Sequence, residues 1–408
     1  MTSKAKISGI LLLLMSLTIN MGSCSTKPAV RDISDTLLDN VISFSMQSGG
    51  EILTKSEDNE IYSPIGLYSV LSVMTTLTSE DCDSYLELSE ALQTDKESIE
   101  NEFITLTKDI KDSLKKCKVT NSLWYDNKDN VYNVNYLKDE TKKLGVSLKE
   151  EDFALNGPSK FAGFIKDSTN GLINPNPSDF EYMRSINFAL LNTLYYDGEW
   201  NEEFKNTHNV EFTNDKGEKK YYNAMSKEEQ VYTYDDTRVN SIRMDYKDGA
   251  YMILFKPREN DQGLIEESLN DILLDYSYVG RILNHYRDEE AITQRSMTID
   301  IPKFKTESSF DLNNHIKEDL GVNSIFNLNN KEFSPILNTG NVFMMTEVKQ
   351  MSYIEVDEKG TKVASATFSF GCGANSAMPT FFSVDRPTAY IIVSETDIPL
   401  FMGTIRNV

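Results

Sequence analysis

Imidazole and thiol groups are scarce in this chain. Three histidines and four cysteines in 408 residues leave little material for a metal cluster, and a multi-histidine site is all but excluded. Basic residues are in deficit too: 41 Lys and Arg stand against 63 Asp and Glu, a formal charge of -22. So acidic a surface repels phosphate backbones, which disfavours nucleic acid as a partner and favours solubility. The familiar catalytic signatures are missing, with no G-x-S-x-G elbow, no H-E-x-x-H, no Walker loop and no C-x-x-C. Gly371-Cys372-Gly373 opens like a G-x-G-x-x-G, but Ser376 stands at the sixth position and no helix start follows. His208, His285 and His315 lie among polar residues and read as surface groups. The paired carboxylates Glu202-Glu203, Asp235-Asp236 and Glu289-Glu290 read as solvated faces of an acidic chain. An enzyme is not expected, nor a metal or other cofactor.

What is present begins with an export signal at residues 1–24. Lys4 and Lys6 precede the apolar run Ile10-Leu-Leu-Leu-Leu-Met15, and small residues lead to Cys24. That run is too short to span a bilayer, and no later stretch approaches the roughly eighteen apolar residues a membrane helix needs. Met21-Gly-Ser-Cys24 is similar to the bacterial lipoprotein pattern, which makes Cys24 a lipidation candidate; ordinary cleavage near Ser23 to Thr26, with Cys24 incidental, is the alternative. The one Asn-x-Ser/Thr sequon, Asn176-Pro-Ser178, is disabled by its proline, which favours a bacterial surface. Cys82, Cys117 and Cys372 then remain, an odd number that cannot close a disulfide framework. Cys82 and Cys117 either pair or are both buried thiols.

No Pro/Gly/Ser-rich linker, internal repeat or low-complexity block interrupts the rest, so residues 25–408 are expected to form one domain. Leu37, Leu38, Val41, Ile42 and Phe44 give Ser34 to Ser48 a helical period. Ser63-Pro64 opens a second helix, with serine as cap, whose body Ile65 to Thr76 is apolar nearly all round and so buried. Strands are expected at Ala250–Phe255, Met297–Ile301, Val342–Met345 and Tyr390–Val393, and a helix at Phe310–Leu320. Helices first and strands later, without a βαβ alternation, indicate an α+β fold.

The segment Val356 to Arg386 is unusual. In a chain where 25% of residues are charged, Val363 to Met378 has neither charge nor an internal proline, and most of its residues are small. At a period of two, one face carries Thr361, Val363, Ser365, Thr367 and Ser369, and the other Lys362, Ala364, Ala366, Phe368 and Phe370. The first face can be buried under a helical layer, so the segment can be an interior strand. It also has the composition of an exposed connection, which suggests a two-state element; a simple hairpin connection or an edge strand is the plainer alternative.

Glu358-Lys-Gly-Thr-Lys-Val-Ala-Ser-Ala-Thr367 resembles the reactive-centre-loop hinge of the serpins, the serine protease inhibitor superfamily. Further matches follow in order: Glu60-Ile-Tyr-Ser-Pro64, Thr169-Asn-Gly-Leu-Ile173, Asn192-Thr-Leu-Tyr-Tyr-Asp-Gly-Glu-Trp200 with Phe204, Ile301-Pro-Lys-Phe-Lys305, Leu320-Gly-Val322, Asp385-Arg-Pro387 and Leu400-Phe-Met-Gly403. The resemblance spans about Ser34 to Val408, and an exported bacterial member is expected.

That resemblance implies three β-sheets surrounded by about eight or nine helices, with an exposed reactive-centre loop at about 358–384. It implies a hinge at Glu358, Gly360, Thr361, Val363, Ala364, Ser365, Ala366 and Thr367. Ser63, Asn192 and Gln350 would form the "shutter" under the central sheet, and Trp200 the "breach" where loop insertion begins. The target would be a serine protease, with cysteine proteases as a secondary class. It cuts the loop as a substrate and is trapped as an acyl-enzyme when the cut loop inserts as a strand. Counting from the hinge puts the reactive bond at Ala374-Asn375; counting back from Pro387 makes Asn375-Ser376 the second choice. A small residue before the bond suits an elastase- or subtilisin-like pocket. The protein is expected to act as a monomer outside the cell, secreted or lipid-anchored through Cys24. The alternative is a non-inhibitory serpin acting as a binding, carrier or surface protein. Departures from the family pattern are Gln350 for the usual His, Thr388 for Phe, Phe164 for Trp, Val363 for Ala and Lys362 for an acid.

Overall fold

Helices form where the 3.6-residue period requires them. In the computed structural model, residues 31–113, 117–126, 128, 130–287, 293–329, 331–361 and 380–408 are described. The signal segment with Cys24, the hinge positions Val363 to Thr367, Cys372 and the candidate bonds at Ala374, Asn375 and Ser376 lie outside the described residues.

The described helices are α1 (Asp35–Leu53), α2 (Pro64–Leu77), α3 (Asp83–Leu92), α4 (Lys96–Ser113), α5 (Val134–Lys143), α6 (Phe153–Ser168), α7 (Leu269–Leu274) and α8 (Tyr276–Arg287). Ser34 caps α1 by accepting from the Leu37 amide at 3.1 Å, and the predicted apolar face is buried. Helix α2 is buried at every residue except Val70, as its all-round apolar sequence requires. Ser63 occupies its N-cap position but makes no side-chain cap; its hydroxyl instead donates to the Leu400 carbonyl at 2.9 Å, because a strand lies closer than the helix's own free amides.

The strands, in chain order, are β1 (Glu60–Tyr62), β2 (Cys117–Tyr125), β3 (Ser147–Glu150), β4 (Phe188–Tyr196), β5 (Gly198–Glu199), β6 (Asn206–Thr213), β7 (Lys219–Asp235) and β8 (Val239–Asp245). They continue with β9 (Tyr251–Pro257), β10 (Thr293–Ile301), β11 (Phe304–Asp311), β12 (Lys349–Val356), β13 (Gly360–Thr361), β14 (Thr380–Ser383), β15 (Thr388–Val393) and β16 (Pro399–Ile405). Strands β9, β15 and β16 are buried at every residue, which is why their sequences are continuous apolar runs and not alternating ones.

The sheets differ from a plain count of three. The 17-residue β7 pairs with β6 and β10 along one part and with β8 along another, so two layers join into one nine-stranded sheet, β1-β16-β15-β9-β8-β7-β10-β14 with β6 beside β7. The remaining strands form separate groups, β3-β2-β4, β11-β12 and β13-β5. Among the described residues, β4 and β12 are not paired with each other.

Three local expectations are corrected. Val342–Met345 is not a strand: only Phe343 pairs, in a single bridge to Asn329, with its ring buried while Val342 and Met344 are exposed. Phe310 still belongs to β11, where its ring meets Tyr62 edge-on at 6.0 Å, so the helical turn shrinks to His315–Asp319. His315 is buried, not a surface group: its ring meets Ser48 Oγ at 2.8 Å through Nε2 and Asp319 at 2.7 Å through Nδ1. His285 is half-buried between Tyr234 and Tyr286, and His208 alone of the three is exposed. Cys82 is a free, buried thiol, pushed up to about 11 by burial.

Burial holds the His315 imidazole below its ordinary pKa despite Asp319 beside it. Below about pH 6.5 the unfolded chain therefore takes up a proton that the folded one resists, and stability falls as pH drops. Thermal unfolding is expected to show a falling midpoint from about pH 7 to about pH 5, and His315→Gln to flatten that slope.

Candidate functional site

Among the described residues β4 and β12 do not pair with each other, and they face each other across a slot. Two narrow cavities, of about 20 and 60 Å³, run along it and share Thr169, Ile173 and Leu194. The upper one reaches Thr361, and the lower one reaches down to Ile186 and Lys349. Helix α6 covers the slot with its own small core, in which Trp124, Phe161, Ile165 and Met183 are buried and Leu191 and Met351 pack beneath.

At the top, the chain leaves β12, turns at Asp357 and returns as β13. Asp357 Oδ1 accepts from the Lys359 amide at 2.9 Å, and Asp357 bridges Gly360. Gly360 then pairs with Glu199 and Thr361 with Gly198, antiparallel. A Cβ on Gly360 would come within 2.1 Å of the Gly198 carbonyl oxygen, so only glycine permits this approach. The Thr361 hydroxyl lies 2.9 Å from that of Tyr246, and Tyr246 stacks on Trp200 with centroids 4.4 Å apart. Trp200 is fully buried; its indole N–H donates to the Asp357 carbonyl at 3.1 Å and its amide to the Lys359 carbonyl at 2.7 Å. The Phe204 amide holds the Glu358 carbonyl at 2.8 Å, and Lys303 pairs with the Glu358 carboxylate. Burial opposes the charge on Glu358, but the hydrogen bond from Lys303, the backbone amide of Glu358 and the charges of Lys303 and Lys359 together outweigh it and hold the carboxyl below its usual range. Below the indole, the Lys227 ammonium lies 4.7 Å from the Phe204 ring centre and 2.7 Å from Glu229; burial pulls its pKa down against that pairing.

Lower in the slot, Gln350 on β12 grips the start of α2 twice. Its Oε1 accepts from the Ser63 amide and its Nε2 donates to the Ser63 carbonyl, each at 2.8 Å. Asn192 on β4 donates to Asn121 Oδ1 at 2.7 Å, and its own Oδ1 would lie 2.8 Å from a Cβ on Gly66. Ser63, Asn192 and Gln350 thus converge on Gly66 at the first turn of α2. Glu358, Gly360, Thr361 and Trp200 are likewise together at the top. The ends of the 358–384 loop are more ordered than an exposed connection: Gly360 and Thr361 are buried, and Thr380–Ser383 lies parallel to β10. The sequence reading missed Tyr246 and Lys227, which no motif marks, and used Gly198 and Lys303 only as parts of collinear matches.

Among the described residues, His208 does not form a nucleophile relay. His208 meets Asp300 at 3.0 Å and Ser226 at 3.4 Å through the same nitrogen, Nδ1, so the ring cannot pass a proton from serine to carboxylate. Among the described residues, no group of three or more His, Cys, Asp or Glu could hold a metal ion, and no helix is long and apolar enough to cross a membrane.

Residues 39–408 match the family model for serpins, serine protease inhibitors, and the chain belongs to that family. It is 24% identical over 379 residues to a serine protease inhibitor of Cyanea capillata, covering 87% of this chain and 94% of that one. It is 23% identical to leukocyte elastase inhibitor A of Mus musculus, covering 85% and 92%. Among solved structures, the native thermophilic serpin tengpin matches with a TM-score of 0.76 at 20% identity, over 92% of this chain and 95% of that one. Thyroxine-binding globulin with thyroxine matches at 0.72 and 17%, over 91% and 98%, a likeness of fold.

Gln350→Ala removes both hydrogen bonds to Ser63, a loss of about 2 kcal/mol at roughly 1 kcal/mol each. The thermal midpoint is expected to fall by several degrees, with Gln350→His losing less because its ring can keep one bond; an unchanged midpoint for Gln350→Ala would show the clamp to be idle.

Proposed function

We propose that this serpin is a suicide-type inhibitor of extracellular serine proteases with elastase- or subtilisin-like pockets. The protease serine attacks the carbonyl carbon of Ala374, the bond to Asn375 breaks, and the amine of Asn375 leaves with the proton carried by the protease histidine. An ester joins the two proteins. The freed loop then enters the slot as a strand and distorts the protease before water can hydrolyse the ester.

One observation carries the reading: Gly360 and Thr361 pair with β5 directly above β4 and β12, two strands that do not pair with each other among the described residues. Continuing the pairing of Thr361 with Gly198 brings Phe368 opposite Leu191 and Phe370 opposite Ala189. Both β4 residues line the lower cavity and pack on the α6 core. The signal segment and Cys24 support a site of action outside the cell, secreted or held by a lipid. The small residue before the bond supports the protease class; cysteine proteases form a secondary class.

Mixed with an elastase-like protease, the protein is expected to give a covalent complex that survives boiling in detergent and a released peptide beginning at Asn375. Thr361 is buried, so Thr361→Arg must bring a charge into the slot as the hinge advances. This variant is expected to be cut at the same bond without retaining the protease. Cleavage of the unmodified loop with no complex and no rise in thermal midpoint would overturn the proposal in favour of a non-inhibitory binding or carrier protein.

A further inference from the structure

Beside Trp200, β7 buries a cation that belongs to neither the hinge nor the shutter. The Lys227 side chain is 4% exposed, and its ammonium donates to the Glu202 carbonyl and pairs with Glu229, each at 2.7 Å. The ring centres of Phe204 and Trp200 stand 4.7 and 5.6 Å away. The carboxylates of Glu202 and Asp245 add their charge from farther off. Taking an ammonium out of water is costly, and an apolar side chain of the same length fills such a space more cheaply. What lysine adds over methionine is a donor. The bond to the Glu202 carbonyl is therefore the feature that calls for a reason.

That carbonyl sits in the middle of a short irregular turn, Trp200 to Phe204, between β5 and β6. The turn grips the returning chain at both of its ends. At one end Glu199 pairs with Gly360, and the Trp200 amide donates to the Lys359 carbonyl at 2.7 Å. At the other the Phe204 amide donates to the Glu358 carbonyl at 2.8 Å. The middle is tied back twice, by the Asn201 amide to the Asp245 carbonyl at 2.9 Å and by the Glu202 carbonyl to Lys227. Asn201 and Glu202 are exposed, so their side chains add little packing to hold the turn. Trp200 is already set by its stack on Tyr246, whereas the Phe204 end is set by the ammonium beside its ring and by the bond two residues earlier. The spacing of the two gripping amides thus depends on Lys227.

We infer that Lys227 is a positioning residue for loop entry: by holding the Glu202 carbonyl it keeps the Trp200 and Phe204 amides in register with the Lys359 and Glu358 carbonyls, and so quickens insertion of the cut loop. The inference rests on the inhibitory reading above and adds the residue that sets the odds between two fates of the acyl-enzyme. In one, the loop enters first and the protease is held. In the other, water cleaves the ester, the protease serine regains its proton, and active protease leaves a cut and spent inhibitor. A loosened grip slows the first path and leaves the second as it was.

The test mixes an elastase-like serine protease with the unmodified protein and two variants. Lys227→Met with Glu229→Gln removes the donor without stranding a buried carboxylate, and Glu229→Gln alone keeps an amide oxygen for the ammonium. The rate of loop cleavage and the rise in thermal midpoint after it are expected to be the same in all three. In the double variant the share of cleavage events that end in free protease is expected to rise roughly tenfold, the rate effect of one lost hydrogen bond to a charged group. In Glu229→Gln that share is expected to stay near the unmodified value. An unchanged share in the double variant overturns the inference, because bracing of the fold alone would move the thermal midpoint and not the share. An equal rise for Glu229→Gln also overturns it, since the ion pair and not the turn would then matter. Should the double variant fail to fold, amide hydrogen exchange on the intact unmodified protein decides. The Trp200 and Phe204 amides are expected to be slowed alike, about 100-fold relative to an unstructured chain; a free Phe204 amide beside a protected Trp200 amide overturns the inference. If the unmodified protein is cut with neither complex nor thermal rise, the inhibitory reading fails and takes this one with it.

Discussion

Two strand edges that face each other without pairing are the constraint around which the site is arranged. Among the described residues, backbone amides and carbonyls along β4 and β12 have no partner in one another, and a strand edge gains by pairing. The clamp of Gln350 on Ser63 holds one edge to α2, and Asn192 approaches Gly66 from the other. Above the gap, α6 supplies a second core of its own rather than joining the main one. The sheet is thereby kept open from below and covered from above.

Hydrogen bonds alone do not decide whether a strand enters. Ordering a residue costs about 1–2 kcal/mol of backbone entropy, and a new hydrogen bond returns a net of roughly 1 kcal/mol. These nearly cancel, so side-chain burial and register set the sign. Register matters because a slip of one residue turns every side chain to the opposite face. Trp200, Tyr246 and the Gly198 carbonyl fix it at the top, where Gly360 can approach only because it lacks a Cβ and the Thr361 hydroxyl meets the Tyr246 phenol. The aromatic stack therefore acts as a template for everything below it.

Much of this was legible in the sequence, for identifiable reasons. Helix α2 announced itself because burial on all sides demands an apolar run, and β9 and β15 did so for the same reason. The hinge and shutter positions came from collinear motifs, not from periodicity. Tyr246 was invisible because its role depends on a stack with a residue 46 positions earlier in the chain. His315 was misjudged because the sequence around it is polar; its burial follows from Ser48 and Tyr62, which the fold brings in from more than 250 residues away. Val342–Met345 has a strand's composition but serves as one bridge with its alternate side chains in water, which no local pattern distinguishes from an interior strand.

The position of Thr361 also accounts for the mixed composition of the run beyond it. Thr361 points inward to Tyr246, so in a continued strand Val363, Ser365, Thr367 and Ser369 share its face and meet the packed floor above α2. Little volume is available there, and those residues are small or β-branched. The other face carries Lys362 nearest the top, then Ala364 and Ala366, then Phe368 and Phe370. In that register the two aromatics would come opposite Leu191 and Ala189, which lean on the α6 core. Small residues on one side and late aromatics on the other are what a strand must carry to fit a slot floored by a close-packed helix and roofed by a separate hydrophobic cluster. A simple hairpin connection would have no need of either.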